Sequence, residues 1–216
     1  MAKKKSSTSV KILFIGNSFT QRNDLPELIA QLAAARGVQV SHELVSVGGA
    51  SLRNHWNREQ ATEKIAEGKY DYVVLQEQST LPVKNAQRMA ENVRLFDEVI
   101  KKSGAKTVLY MTWARQHAPE AQQVIADAYT SVGNELKSIV VPVGLVWQQF
   151  LAKHEPPVLH DRDESHPSLA GSYLAACVFL KVLLHADPVG IEAGPDGLDA
   201  SEKLLLQQVA SKSPSV

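Results

Sequence analysis

Apolar residues follow two alternating rhythms along the chain, and the alternation predicts its elements. Short unbroken runs read as buried strands: Val10 to Ile15, Val38 to Val47, YDYVVL at 70–75, KTVLYM at 106–111 and Ile139 to Val143. Between them, apolar residues return at three- and four-residue intervals. Leu25, Leu28, Ile29, Leu32 and Ala33 mark a helix over 24–36, with Asp24 as its N-cap and Gly37 as its stop. Further helices are expected over 58–67, 84–102, 119–137, 144–153 and 168–185. After the breakers Pro188, Gly190, Gly194, Pro195 and Gly197, the stretch SEKLLLQQVA predicts a short amphipathic helix.

Strand and helix alternate five times without repeats or low-complexity linkers, which calls for an α/β fold: a parallel sheet covered by helices on both faces. The 216 residues suffice for one well-buried core. The expected organisation is a disordered polar tail over 1–9 (MAKKKSSTS), one domain over 10–186, and an extension over 187–216 whose helix packs on that domain. In such folds ligands bind at the carboxyl ends of the strands. That directs attention to GNSFTQRND, GGASLRNHW, QEQSTLP, TWARQHAP and the later loop HDRDESHP.

Charge narrows the partners. Lysine plus arginine (23) balances aspartate plus glutamate (23), so there is no global field to attract nucleic acid or an anionic membrane. The apolar run before Gly16 is too short for a secretory h-region, and no stretch reaches the roughly 18 apolar residues of a membrane span. A cytoplasmic protein is expected. The single cysteine, Cys177, lies in YLAACVFL and reads as a buried structural thiol.

Candidate chemistry begins at Gly16-Asn17-Ser18. A glycine lets the backbone leave the first strand tightly and can lift Ser18 to the crest of the sheet. Taken locally, Ser18 or Thr20 reads more readily as a helix cap. Neither G-x-S-x-G nor a phosphate-binding G-x-x-x-x-G-K-[ST] is present. Far along the chain, Asp163-Glu164-Ser165-His166-Pro167 offers a D-x-x-H spacing before a helix, with Pro167 suited to its first turn. There a carboxylate could orient an imidazole, which could act as a base for Ser18. Asp161 competes with Asp163 for that role. His154, His160, Asp161, Asp163 and His166 together also admit a metal-dependent phosphoesterase, although the GNSFT and QEQST loops supply no further histidine or aspartate.

Taken jointly, the blocks resemble the SGNH (GDSL-like) hydrolases. Over about residues 10–185 the resemblance implies a three-layer α/β/α sandwich around a five-stranded parallel sheet, flavodoxin-like in order. It implies Ser18 as nucleophile, His166 as base and Asp163 as its orienting acid. The oxyanion hole would be formed by the Ser18 N–H, by Gly49 (with Gly48 beside it) in VGGASL, and by an amide after the third strand. That third block departs from the family's G-x-N-D: Gln76-Glu77-Gln78-Ser79 puts Gln76 at the glycine position and Gln78 at the asparagine position. Gln78 keeps the amide donor on one extra methylene. Asn17, His55, Trp113 and His117 are the candidates for substrate contact. The activity implied is hydrolysis of small acyl esters, O-acetylated carbohydrate among them, with no metal or organic cofactor and a small-molecule ester as the partner. The departure at Gln78 also motivates an alternative, a non-catalytic carbohydrate- or ligand-binding protein on the same fold. Oligomeric state is open.

Overall fold

The computed structural model describes residues 8–216. Most of the expected N-terminal tail lies outside them, but its boundary moves: the first strand, β1, runs Thr8–Gly16 and pairs with the second strand along its whole length. In order there follow α1 (Ser18–Gln21), a 3-10 turn (Arg22–Asp24), α2 (Leu25–Ala35), β2 (Val38–Ser46), α3 (Leu52–Asn57), α4 (Gln60–Glu67) and β3 (Tyr72–Leu75). Then come α5 (Leu81–Lys84), α6 (Ala86–Lys102), β4 (Lys106–Tyr110), α7 (Ala121–Leu136), β5 (Ile139–Val141), α8 (Val143–Leu151), α9 (Leu169–Val182) and α10 (Ala200–Ala210).

All five strands are parallel, in the order β2-β1-β3-β4-β5. Successive residues point to opposite faces, so each strand serves two cores. Ile12, Phe14, Val74, Val108 and Val141 pack under α2, α8, α9 and α10, whereas Leu13, Ile15, Val73, Leu75 and Leu109 pack under α3, α4, α6 and α7. Burial on both faces is why the strands read as unbroken apolar runs. Cys177 is buried in α9. Helix α10 is closed at its start by a capping box of Asp199 and Glu202, and Leu206 and Ala210 on it join the core beside α9.

Three local expectations are corrected. Asp24 precedes α2 but makes no cap bond; it and Asn23 hold left-handed conformations, φ 50° and 54°, because the chain must turn sharply after α1. The helix expected over 58–67 begins at Gln60 as α4, with Glu59 left-handed before it (φ 61°). It is preceded by a short helix that was not expected, α3, which opens at a capping box of Ser51 with Asn54 in place of the usual Glu or Gln. Pro167 stands outside α9, bridged to His160, because Ser168 takes the N-cap and accepts from the Gly171 N–H. No helix among the described residues is long and apolar enough to cross a membrane.

The strand order reverses between β1 and β3: the chain steps outward to β2, then returns to the other side of β1. A crevice at the carboxyl ends is expected at such a switch point. The GNSFT and QEQST loops leave the two strands that flank it.

Candidate active site

The β1 strand ends in a turn with no room for a side chain. A Cβ on Gly16 would lie 2.6 Å from Gln76 Oε1 and 2.6 Å from Thr20 Oγ1. Gln76 is buried there, and its Oε1 accepts from the Asn17 N–H at 2.8 Å and the Thr20 hydroxyl at 2.9 Å. The cap of α1 is neither Ser18 nor Thr20 but Asn17, whose Oδ1 accepts from the Phe19 N–H at 3.0 Å. Its Nδ2 donates to the Ala50 carbonyl at 3.0 Å. With the cap supplied by its neighbour, Ser18 opens the helix with its hydroxyl free for another partner.

That partner comes from the far end of the chain. Ser18 Oγ lies 2.8 Å from His166 Nε2, and His166 Nδ1 bonds to Asp163 Oδ2. Asp163 Oδ1 also accepts from the N–H groups of His166, at 2.9 Å, and Ser165, at 3.1 Å. An ionised carboxylate only accepts, so Nδ1 carries the proton and the Nε2 lone pair faces the Ser18 hydroxyl. The bond from the His166 ring, then those from the two backbone N–H groups, holds the Asp163 carboxyl well below the usual carboxylate range, against a smaller opposing effect of burial. Asp161 is turned elsewhere: it pairs with Arg22 and accepts from the Arg162 N–H.

Two braces hold the GNSFT loop against this histidine loop. One is the Arg22–Asp161 ion pair. The other is Asn23, whose Nδ2 lies within hydrogen-bond distance of the Pro167 carbonyl (3.4 Å), the Ser168 carbonyl (3.1 Å) and Ser172 Oγ (2.9 Å).

Gly49 sits in the turn after β2 with φ +67°, a conformation that favours glycine, and the turn is closed by the Ala50 N–H on the Val47 carbonyl. Gln78 follows β3. Its Oε1 accepts from the Thr80 N–H at 2.9 Å and the Thr80 hydroxyl at 3.0 Å. A backbone N–H can only donate, so the oxygen must face Thr80. The Nε2 is thereby turned the other way, and it donates to no protein group among the described residues.

The candidates for substrate contact divide. His55 is 1% exposed and turned inward, its Nε2 donating to the Gly16 carbonyl at 2.7 Å, and burial lowers its pKa. Trp113 is 2% exposed; its Nε1 donates to the Ser165 carbonyl at 3.0 Å, and its ring stacks on Trp147 at 3.9 Å and on Phe19 at 5.0 Å. It braces both the residue after Ser18 and the residue before His166. His117 is exposed and lies 3.1 Å from the Glu164 carboxylate. A cavity of about 160 Å³ opens between the loops after β3 and β4, walled by Ser79, Thr80, Val83, Trp113, Ala114 and Ile125.

Among the described residues no group of three or more His, Cys, Asp or Glu side chains gathers as metal ligands. In the His/Asp-rich loop the reason is visible. His160 turns inward to the Ala114 carbonyl, Asp161 to Arg22 and Asp163 to His166, while His154 packs on Phe150.

Sequence reasoning missed Glu77, Asn92, Arg22 and Asn23, and gave Gln76 only an alignment role. Two polar residues continuing a buried strand, QE directly after YVVL, were the available signal. Both are fully buried.

No model of a known family matches the sequence, and no curated protein matches it. Solved structures do. A candidate SGNH hydrolase from Slackia heliotrinireducens is 27% identical, with a TM-score of 0.69, covering 82% of this chain and 100% of that one. A DUF4886 family protein from Bacteroides uniformis is 21% identical, with a TM-score of 0.75, covering 94% of this chain and 93% of that one. A variant of an acetyl xylan esterase from Geobacillus stearothermophilus is 16% identical, with a TM-score of 0.60, covering 82% of this chain and 95% of that one. The shared architecture is the three-layer α/β/α sandwich with a five-stranded parallel sheet. The chain belongs to the SGNH hydrolase superfamily.

Proposed function

We propose that the protein is a serine esterase that hydrolyses small acyl esters through a covalent acyl-enzyme. One observation carries the reading: Ser18 Oγ lies 2.8 Å from an imidazole whose other nitrogen is held by a carboxylate. A serine hydroxyl is a weak nucleophile until a base stands within hydrogen-bond reach and is itself oriented.

In the first half-reaction Ser18 Oγ bonds to the ester carbonyl carbon while its proton passes to His166 Nε2. Asp163 keeps the ring in the required tautomer and stabilises the imidazolium. The carbonyl oxygen, now an oxyanion, takes hydrogen bonds from the Ser18 N–H, the Gly49 N–H and the Gln78 amide. Collapse breaks the bond to the leaving oxygen, which takes the proton from His166. Water then adds to the acyl-enzyme, giving a proton to His166, and collapse releases the acid and returns the proton to Ser18.

Small acyl esters are the first substrates to try, with O-acetylated carbohydrates among them. The acetyl xylan esterase of the same fold supports that choice, and the cavity beside Trp113 offers room for a short acyl or alcohol group. The test is hydrolysis of p-nitrophenyl acetate by the protein, by Ser18→Ala and by an EDTA-treated sample. Turnover lost in Ser18→Ala and kept in EDTA is expected. Loss in EDTA alone would replace this reading with a metal-dependent one. Silence across short acyl esters and acetylated sugars would favour the ligand-binding alternative that the departure at Gln78 motivates.

A further inference from the structure

Three separate loops must act as one object if they are to surround a single oxygen, and three side chains link them pairwise. Asn17 Nδ2 reaches from the serine loop to Ala50 in the glycine loop. Gln76 Oε1 reaches from the third loop to the Asn17 N–H. The remaining link is Glu77, at 0% exposure. A single oxygen, Oε1, accepts from the Leu52 N–H at 2.9 Å and the Gln78 N–H at 2.7 Å. Leu52 is three residues beyond Gly49 and starts α3. The second oxygen, Oε2, accepts from Asn92 Nδ2 on α6 at 2.9 Å, and Asn92 Oδ1 accepts from Arg53 Nε at 3.1 Å.

Burial pushes the Glu77 carboxyl pKa up, against the bonds from Asn92, Gln78 and Leu52. A fully buried acid is expensive, and a leucine of similar volume would avoid the desolvation cost. What an apolar residue could not supply is one acceptor shared between two loops. The site spends stability at a position where geometry is shared between the glycine turn and Gln78.

We propose that Glu77 is a positioning residue for the oxyanion hole, its carboxylate setting the spacing between the Gly49 turn and Gln78. The inference rests on the esterase reading above. It concerns transition-state stabilisation, because donors aimed at a developing oxyanion act mainly there.

The variants are Glu77→Gln and Glu77→Ala, run beside wild type and Ser18→Ala. Glu77→Gln keeps one oxygen for the two N–H groups but sets an NH₂ against Asn92. It should lower kcat on p-nitrophenyl acetate about three- to tenfold, the kinetic equivalent of one ordinary hydrogen bond. The buried NH₂ facing Asn92 should lower the thermal midpoint in any case, so the deciding readout is the split: kcat falls while KM stays within about twofold, which a merely structural role would not give. Glu77→Ala should lower kcat by about a hundredfold, as for loss of an oxyanion donor. Where that variant does not fold, Glu77→Gln decides.

A Glu77→Gln protein with wild-type kcat, or with losses only in KM or in the thermal midpoint, overturns the proposal. Amide NMR separates this from failure of the esterase reading. If wild type shows no Ser18-dependent turnover, that reading falls. The Glu77 link is then judged by whether the Gly49, Leu52 and Gln78 amide resonances move together in Glu77→Gln, and unmoved Gly49 and Gln78 resonances overturn it.

Discussion

Gln78, proposed as the side-chain donor of the oxyanion hole, stands where the resemblance places asparagine. Thr80 holds its oxygen with both an N–H and a hydroxyl, which leaves the amide nitrogen as the group that can donate. Gln78→Ala is expected to lower kcat/KM by about 10²–10³, or roughly 2.7–4 kcal/mol of transition-state stabilisation, in steady-state ester hydrolysis. Asp163 makes a prediction about pH. Its folded pKa is depressed, so the stability it contributes is fully present above the ordinary carboxylate pKa of about 4 and is lost as pH falls through the depressed value. The carboxyl is 45% exposed, so solvent screens the contribution. The stability difference between wild type and Asp163→Asn, followed by thermal unfolding, should shrink as pH falls below about 4 and vanish only as it passes the depressed pKa. Ser18 was legible as a candidate nucleophile only jointly: FIGNSFT alone favours a cap, and the cap turns out to be Asn17. Glu77 was not legible, because nothing in a Q-E-Q-S string says which of its polar groups faces inward.

At the scale of elements, the seam between the turn after α1 and the start of α9 brings residues from the two ends of the chain together. Asn23 makes that seam at the cost of a left-handed backbone, a conformation that Asn tolerates better than most residues. Asn23→Gly removes the side-chain bonds but relieves the backbone, while Asn23→Ala removes the bonds and keeps the strain. Chemical denaturation should therefore rank wild type above Asn23→Gly above Asn23→Ala, with the two variants separated by about 1 kcal/mol. Both should reduce kcat, because the seam fixes the Ser18–His166 distance. Strands and long helices were legible, since burial on two faces and packing on one face leave different apolar periods. The short helices α1, α3 and α5 were not, as four to six residues carry too few turns to set a period. Their ends are decided by side chains such as Asn17 and Ser51 that bond to particular N–H groups.

For the whole molecule, the final thirty residues belong to the same core as the sheet. Leu206 on α10 is fully buried beside α9, and Gln207 donates to the Tyr173 hydroxyl and the Ile191 carbonyl. Leu206→Ala is expected to destabilise the protein by about 2–5 kcal/mol in urea unfolding, with kcat unchanged in the fraction that stays folded. The sequence by itself determined the layered α/β architecture, because unbroken apolar strands alternating with amphipathic helices have few other ways to bury their faces. It also determined which loops meet at the sheet crest, since parallel strands bring all their carboxyl ends to one side. Only the tertiary structure decided which of two aspartates faces His166, which residue caps α1, and which buried acid joins two loops. The Glu77–Leu52, Arg22–Asp161 and Ser18–His166 contacts join residues 25, 139 and 148 apart in the chain, and even the local choices, Asn17 as the cap and Asp163 as the partner of His166, turn on hydrogen-bond geometry. A hydrogen bond discriminates over a few tenths of an ångström, whereas an apolar pattern records only which side of an element is buried.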